Sequence, residues 1–339
     1  MSIKPSLNSF KQGPFRQKGR YYNFPGESSK RFFYHSILMY LTSLYKRLKF
    51  NQSETTAWIE QYISSKSDDV KISWIGHASF LIQLEKINII TDPIFGNASW
   101  LFKRIQRPGV LLKNLPKIDY VLISHNHRDH MDLQSIDALK KHSDPTFLVP
   151  DGNKKWFYSR NIKKVFEFSW WQKYAAKENI LFSFLPAYHW SQRGLFDQNK
   201  TLWGSWLLQF KYLTIYFGGD TGYEGHFKEI GEKYSIDYAL LPIGPCEPHE
   251  WIKHSHLSAQ EAGQAFLDLG AQHFVPMHWG TFYFGTDLFL DPILKLRAWW
   301  KKQQSLLLKK QVHELKIGQS MQIPHTYDNK ATQQDRPVQ

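Results

Sequence analysis

Covalent self-restraint is nearly absent from this chain, which has one cysteine, Cys246, among 339 residues. A single thiol forms no internal disulfide and builds no thiolate zinc cage, so any metal must be held by imidazole and carboxylate. Long apolar runs are missing too. The longest uncharged apolar stretch, residues 32–45, falls short of the roughly 20 residues that a spanning helix needs. It also carries His35, Ser36, Thr42 and Ser43 and lacks a small-residue cleavage site after it, which does not suit a signal peptide. The expectation is a cytoplasmic protein, soluble or peripherally attached to a membrane.

Acidic residues are scarce at one end. Lys4, Lys11, Arg16, Lys18, Arg20, Lys30, Arg31, Lys46, Arg47 and Lys49 face a single acid, Glu27, in the first 50 residues. That segment therefore carries +9 of the formal +13, leaving +4 for the other 289 residues. An enzyme acting on duplexes would spread its cations around the catalytic cleft, so no nucleic-acid partner is expected. A basic appendage suits an anionic surface instead.

What is present suffices for a folded body: 42% hydrophobic and 16% aromatic residues can fill a sizeable core. Residues 1–30, broken by Gly13, Pro14, Gly19, Pro25 and Gly26, read as an arm lying on that body. Over 31–50, Phe33, Ile37, Leu41, Leu44 and Leu48 recur at helical spacing, with Lys46, Arg47 and Lys49 at the end that the helix dipole favours. The apolar stripe of this helix faces either a membrane surface or its own domain.

From Val70 the pattern changes to short apolar runs, at 71–75, 80–84, 87–91, 120–124, 147–150, 180–185, 202–210 and 213–217, all strand-like. Helices intervene. One starts at Ser258 with Glu261 three residues on, buries Ala262, Ala265, Phe266 and Leu269, and stops at Gly270. Another takes Asp291 as its cap and Pro292 in its first turn. The alternation implies a layered α/β body over 51–318, followed by a polar tail over 319–339.

The chemistry concentrates in Tyr120-Val-Leu-Ile-Ser-His-Asn-His-Arg-Asp-His130, where a buried strand runs straight into three histidines and an aspartate. Such a crowd is expensive unless something charged binds there, and its ligand types suit zinc, iron or manganese. His189, Asp220 and His278 each follow another strand-like run. Alone, each is a weak signal, since a lone histidine beside an apolar run is more often a packed or surface residue than a ligand. Several strand ends presenting metal-type side chains point to a common cleft.

The HxHxDH run followed by His189, Asp220 and His278 resembles the metallo-β-lactamase superfamily. Trp74-Ile-Gly-His-Ala-Ser79, Thr91-Asp-Pro-Ile-Phe95, Trp203-Gly-Ser-Trp206, Gly219-Asp-Thr-Gly-Tyr223 and His278-Trp-Gly-Thr-Phe282 narrow the likeness to the N-acylphosphatidylethanolamine-hydrolysing phospholipases D. The resemblance implies an αββα sandwich, two mixed sheets packed face to face with helices outside. It implies one divalent ion on His125, His127 and His189, another on Asp129, His130 and His278, and Asp220 bridging them. Zn²⁺ is the expected metal, with Fe or Mn as alternatives.

Two cations roughly 3.5–4 Å apart can share an attacking water and clamp the oxygens of a phosphodiester. The resemblance therefore implies a phospholipase D-type reaction that releases an N-acylethanolamine and phosphatidic acid, with Asp129, Asp220 and His256 catalytic. The same ion pair would serve a soluble phosphodiester or a lactone, which is the second reading. His256 would approach the substrate phosphate, or is a surface histidine near a helix start. Gln192 and Arg193 follow His189 and are candidates for substrate contact. Asp92 either orients a ligand from behind or shapes the turn before Pro93. Trp190, Trp203, Trp206 and Trp279 line a lipid groove or fill the core. The expected partners are a phospholipid and a membrane surface, with room for a homodimer.

Overall fold

The computed structural model describes residues 10, 13–25, 41, 45, 55–62 and 70–324. The expected helix over 31–50 and most of the basic arm lie outside these residues.

A short hairpin, β1 (Phe15–Gln17) and β2 (Arg20–Tyr22), comes first. Then come β3 (Val70–Gly76), β4 (Ser79–Leu84), β5 (Ile87–Thr91), β6 (Tyr120–Leu122), α1 (Leu133–Ser143), β7 (Thr146–Pro150), α2 (Lys154–Tyr158) and β8 (Val165–Phe168). The middle of the chain forms β9 (Lys173–Ala175), β10 (Ile180–Leu185), β11 (Ser205–Phe210), β12 (Leu213–Phe217), α3 (His226–Lys233), β13 (Tyr238–Pro242) and α4 (His249–Ile252). The chain closes with α5 (Ala259–Asp268), β14 (His273–Met277), α6 (Asp291–Lys302), β15 (Gln311–Val312) and β16 (Ser320–Gln322).

The strands form two mixed seven-stranded sheets, ordered β16-β3-β4-β5-β6-β7-β8 and β15-β14-β13-β12-β11-β10-β9. Strand alternation gives each first-sheet strand two destinations. Phe80, Ile82 and Leu84 enter the core shared with the second sheet, while Leu81 turns to the layer containing Ile136 and Leu139 of α1. Ile89 and Ile90 divide the same way, as do Leu122 and Val121, and Leu148 and Val149. On the far side, Phe266 of α5 stacks on Phe274 of β14 at 5.2 Å. This is the αββα sandwich, helices outside.

Strand direction decides at which edge each connecting loop emerges. In the first sheet β4 is antiparallel to both β3 and β5, and β6 is parallel to β5, so β3, β5 and β6 run the same way. In the second sheet β10 and β12 flank an antiparallel β11, and β13 and β14 continue parallel to β12, so β10, β12 and β14 also agree. Two bonds join the sheets beyond the ends of β6: Trp206 Nε1 donates to Ile123 O at 2.8 Å and Gly204 N to Ser124 O at 3.0 Å.

Several boundaries differ from the sequence reading. The Ser258 helix is as expected, with its capping box complete. The later helix is offset by one residue: Leu290 occupies the cap, and Asp291 is helical while accepting from Leu288 N at 2.7 Å. The run 202–210 pairs only from Ser205, because the Gly204 amide is spent on Ser124. The polar tail expected from 319 instead begins with an edge strand, β16, antiparallel to β3. The strands β8, β9 and β13 have no counterpart in the sequence reading; β8 and β9 are short and half-exposed, and periodicity is weak there. Among the described residues no helix is long and apolar enough to cross a membrane.

Two glycines test how tightly the sheets meet. Gly219 and Gly270 share a left-handed backbone, φ +58° and +66°, but a Cβ on Gly219 would lie 2.5 Å from Ser124 Cβ whereas one on Gly270 meets nothing within 4 Å. Gly270→Ala should cost about 1 kcal/mol and Gly219→Ala at least about 2–3 kcal/mol more. Urea unfolding midpoints measure the difference; equal losses would mean that the Ser124 contact does not constrain the fold.

Candidate metal centre

Six strands running in one direction deliver six ligand-bearing segments to one edge of the sandwich. His77 follows β3, Asp92 follows β5, the run from His125 to His130 follows β6, His189 follows β10, Asp220 follows β12 and His278 follows β14. Consequently all seven sequence-predicted ligands meet. His125, His127 and His189 form one group and His77, Asp129, His130 and His278 another, the ligand atoms of each lying within 4.8 Å of one another.

Asp220 lies between the groups. Its Oδ2 is 3.2 Å from His130 Nε2 and 4.0 Å from His189 Nε2, and its Oδ1 is 3.0 Å from His278 Nε2. His256 completes this side, with Nδ1 3.7 Å from Asp220 Oδ2, and it keeps partial access to solvent.

Three of the imidazoles are held from behind by an oxygen acceptor. His189 Nδ1 bonds Ser255 O at 2.8 Å, His278 Nδ1 bonds Gly244 O at 2.7 Å and His130 Nδ1 bonds Asp92 Oδ2 at 2.7 Å. Carbonyl and carboxylate oxygens accept, so in each ring Nδ1 carries a proton and Nε2 is the nitrogen turned to the cleft. His125 follows the same logic through a relay. The Ser124 hydroxyl donates to Asp92 Oδ2 at 2.5 Å and receives His125 Nδ1 at 2.9 Å, while Ser124 N donates to Asp92 Oδ1 at 2.7 Å. One buried carboxylate thus orients a histidine from each group. Asn23 brackets the His189 backbone, donating to its carbonyl at 2.9 Å and accepting from its amide at 3.2 Å.

The electrostatics demand positive charge at the centre. Burial would raise the Asp129 and Asp220 carboxyls, but the imidazoles around them, His130 first, outweigh it and hold both well below the usual carboxylate range. Burial would likewise lower His130, yet Asp220 and Asp129 pull it well above its ordinary value. Burial, with His130 and His127 beside it, keeps His125 well below its ordinary value and therefore neutral. His130 Nε2, His278 Nε2 and Asp220 Oδ1 are buried and form no hydrogen bond of acceptable geometry despite their close approaches. Buried imidazole nitrogens crowded beside two anionic carboxylates fit divalent cations, one of which would take the place of the proton that the carboxylates hold on His130.

The sequence reading did not single out His77. Burial and then His278 push it down to about 3, so it is neutral. An ionised carboxylate only accepts, so His77 Nε2, 2.9 Å from Asp129 Oδ2, must bear the proton of that contact. Its residue follows a strand as His189 and His278 do, and the same rule would have found it.

Other expected contacts are placed differently. Arg193 Nη1 donates to Asn126 O at 3.1 Å and Met131 O at 2.6 Å, which braces the histidine-rich loop from both ends. Gln192 Nε2 is turned to Gly194 O at 2.8 Å. Trp203, Trp206 and Trp279 are core, whereas the Trp190 ring meets His127 edge-on at 4.3 Å and remains half-buried at the cleft.

Comparison with known proteins points to the same fold and to a family. The β-lactamase superfamily domain model matches residues 87–279. An N-acyl-phosphatidylethanolamine-hydrolyzing phospholipase D of Caenorhabditis elegans is 34% identical over 251 residues, which are 69% of this chain and 70% of that protein. A mitochondrial counterpart in Saccharomyces cerevisiae is 36% identical over 237 residues, 66% of this chain and 50% of that one. Among solved structures, the metallo hydrolase Igni18 of Ignicoccus hospitalis superposes with a TM-score of 0.57 at 22% identity, covering 75% of this chain and 98% of that one.

Asp92→Asn would set an amide donor against the Ser124 hydroxyl or the His130 Nδ1 proton. Metal affinity should fall about 10–100-fold with little change in secondary structure. Competition against a chromophoric chelator reads this directly; unaltered affinity would show that the carboxylate does not set the ligand tautomers.

Proposed function

This chain belongs to the metallo-β-lactamase superfamily, in the family of the N-acylphosphatidylethanolamine-hydrolysing phospholipases D, and from that membership we propose a dinuclear phosphodiesterase that cleaves N-acylated phosphatidylethanolamines. It is a metal-dependent hydrolase; the two-metal arrangement, the lipid substrate and peripheral attachment to the membrane constitute the proposal. The products would be an N-acylethanolamine and phosphatidic acid.

The observation that carries the reading is Asp220, which meets both ligand groups: Oδ1 is 3.0 Å from His278 Nε2, and Oδ2 stands 3.2 Å from His130 Nε2 and 4.0 Å from His189 Nε2. His125, His127 and His189 would hold one cation, and Asp129, His130 and His278 the other. Bound there, divalent ions of zinc, iron or manganese would acidify a water and polarise phosphoryl oxygens. Asp220 would keep the ions together while partly neutralising them. His77 would steer Asp129 and Asp92 would steer His125 and His130, acting through the ligands rather than on substrate.

His256 is the candidate for contact with the reacting group. It keeps partial solvent access, and its ring centroid lies 5.4 Å from His189 and 5.7 Å from His278. There it would donate to a phosphoryl oxygen or pass a proton to the leaving alkoxide. The basic segment 1–50 would add attraction to anionic lipid of roughly 1 kcal/mol per cation near the surface.

The test is product identification by mass spectrometry after incubating zinc- or manganese-loaded protein with mixed phospholipids. N-acylethanolamine and phosphatidic acid should appear together, and Asp220→Asn should reduce both at least about 100-fold. Chelation should abolish them and added metal restore them. Intact phospholipids alongside hydrolysis of a lactone or a soluble phosphodiester would overturn the lipid assignment in favour of the second reading.

A further inference from the structure

Of the large apolar side chains more than 80% exposed among the described residues, Trp100 (82%), Leu195 (86%) and Phe196 (81%) lie on two loops beside the metal centre, and Leu308 (86%) lies elsewhere. Single exposed apolar residues need no explanation, but their concentration beside one cleft does. We propose that these two loop tips seat the protein on the surface of an anionic phospholipid bilayer, an inference that rests on the lipid reading above.

Both loops are braced at the base, leaving the tips outward. In the first, Ala98 N and Ser99 N donate to Phe102 O at 3.1 and 3.3 Å, and Arg104 N donates to Asn97 Oδ1 at 2.9 Å, with Trp100 at the turn. In the second, the Asp197 carboxylate accepts from Arg193 N and Gly194 N at 3.1 and 2.8 Å, and Asn199 N donates to Ser191 O at 2.7 Å, with Leu195 and Phe196 between. Backbone groups at the bases are thereby satisfied locally. Apolar tips of this kind can enter the headgroup region without carrying unpaired amides into it.

Each loop is also anchored to the centre. The Phe102 ring lies 5.1 Å from Phe284, which lies 5.6 Å from His77 and 6.3 Å from His278. Arg193 holds the second loop to Asn126 O and Met131 O, and Arg128 Nη2 returns a bond to Arg193 O at 3.2 Å. The two loops therefore border the ligand groups, the first at His77 and His278, the second at the loop of His125 and His127.

Charge selects the occupant. Residues 95–107 contain Lys103, Arg104 and Arg107 and no acid. Residues 190–200 contain Arg193 and Lys200 against Asp197, whose carboxylate is spent on the two amides above. Lys103, Arg107, Arg128 and Lys200 are exposed around the tips. Apolar points ringed by exposed cations match a bilayer with anionic headgroups, into which aromatic and aliphatic side chains sink while Lys and Arg stay at the phosphates.

The test uses the full chain, metal-loaded, with phosphatidylcholine vesicles that either contain or lack phosphatidylglycerol, and a combined Trp100→Ser, Leu195→Ser, Phe196→Ser variant. The native chain should sediment with the anionic vesicles and bind more weakly at high salt. The variant should partition at least about tenfold less, with metal content and melting midpoint unchanged because the replaced side chains are exposed. Equal binding by both proteins, or none by the native chain, overturns the proposal. So does a variant that loses self-association but keeps vesicle binding, since the tips would then face a second copy. Tip-dependent binding without phospholipid cleavage would leave the docking surface standing and remove the lipid substrate.

Discussion

The arrangement depends on a carboxylate buried where water cannot reach it. Asp92 accepts the Ser124 amide, the Ser124 hydroxyl and His130 Nδ1. Desolvation raises its pKa, so holding the ion there is costly unless those donors stay in place. The cost is met by geometry: donors arriving from β6 and the turn after it force one tautomer on His130 and, through Ser124, on His125. Without that support the imidazoles could rotate or shift a proton, and lone pairs now aimed inward would be lost.

The fold supplies the rest by aligning strand ends. Six strands in two sheets run the same way, so short segments after each converge on one edge, and none needs to be long to reach the centre. Inter-sheet bonds at Ile123 and Ser124 hold that edge closed. The same edge carries the loops around Trp100 and Leu195. Their bases are tied to the centre through Phe102 and Arg193, so any surface the tips meet is held at a fixed distance from the metal ligands. Arg193 illustrates how a residue next to a site can serve it indirectly: its guanidinium is turned to backbone carbonyls of the histidine-rich loop.

Much of the molecule is legible from local sequence. The strand that runs into the histidines after Tyr120 and the capping box at Ser258 are local features, and both form as their residues suggest. The one-residue offset at Asp291 and the late start of β11 arise where a side chain or amide finds a partner elsewhere in the fold. β8 and β9 carry too little alternation to announce themselves. His77 stands in the Trp74–Ser79 motif that carries the family resemblance, yet nothing local says that its ring meets Asp129 and His278, which only the packing of strand ends decides.

By itself the sequence determined the chemistry of the donors: nitrogen and carboxylate oxygen with a lone buried thiol, placed at strand ends by short-range hydrophobic period. Tertiary structure alone decided which of those ends share an edge and what stands behind each ring. Strand direction, sheet order and the acceptors at Asp92, Gly244 and Ser255 are relations between residues far apart in the chain. No local periodicity records them, because they arise only when two sheets pack and their polar groups must find partners.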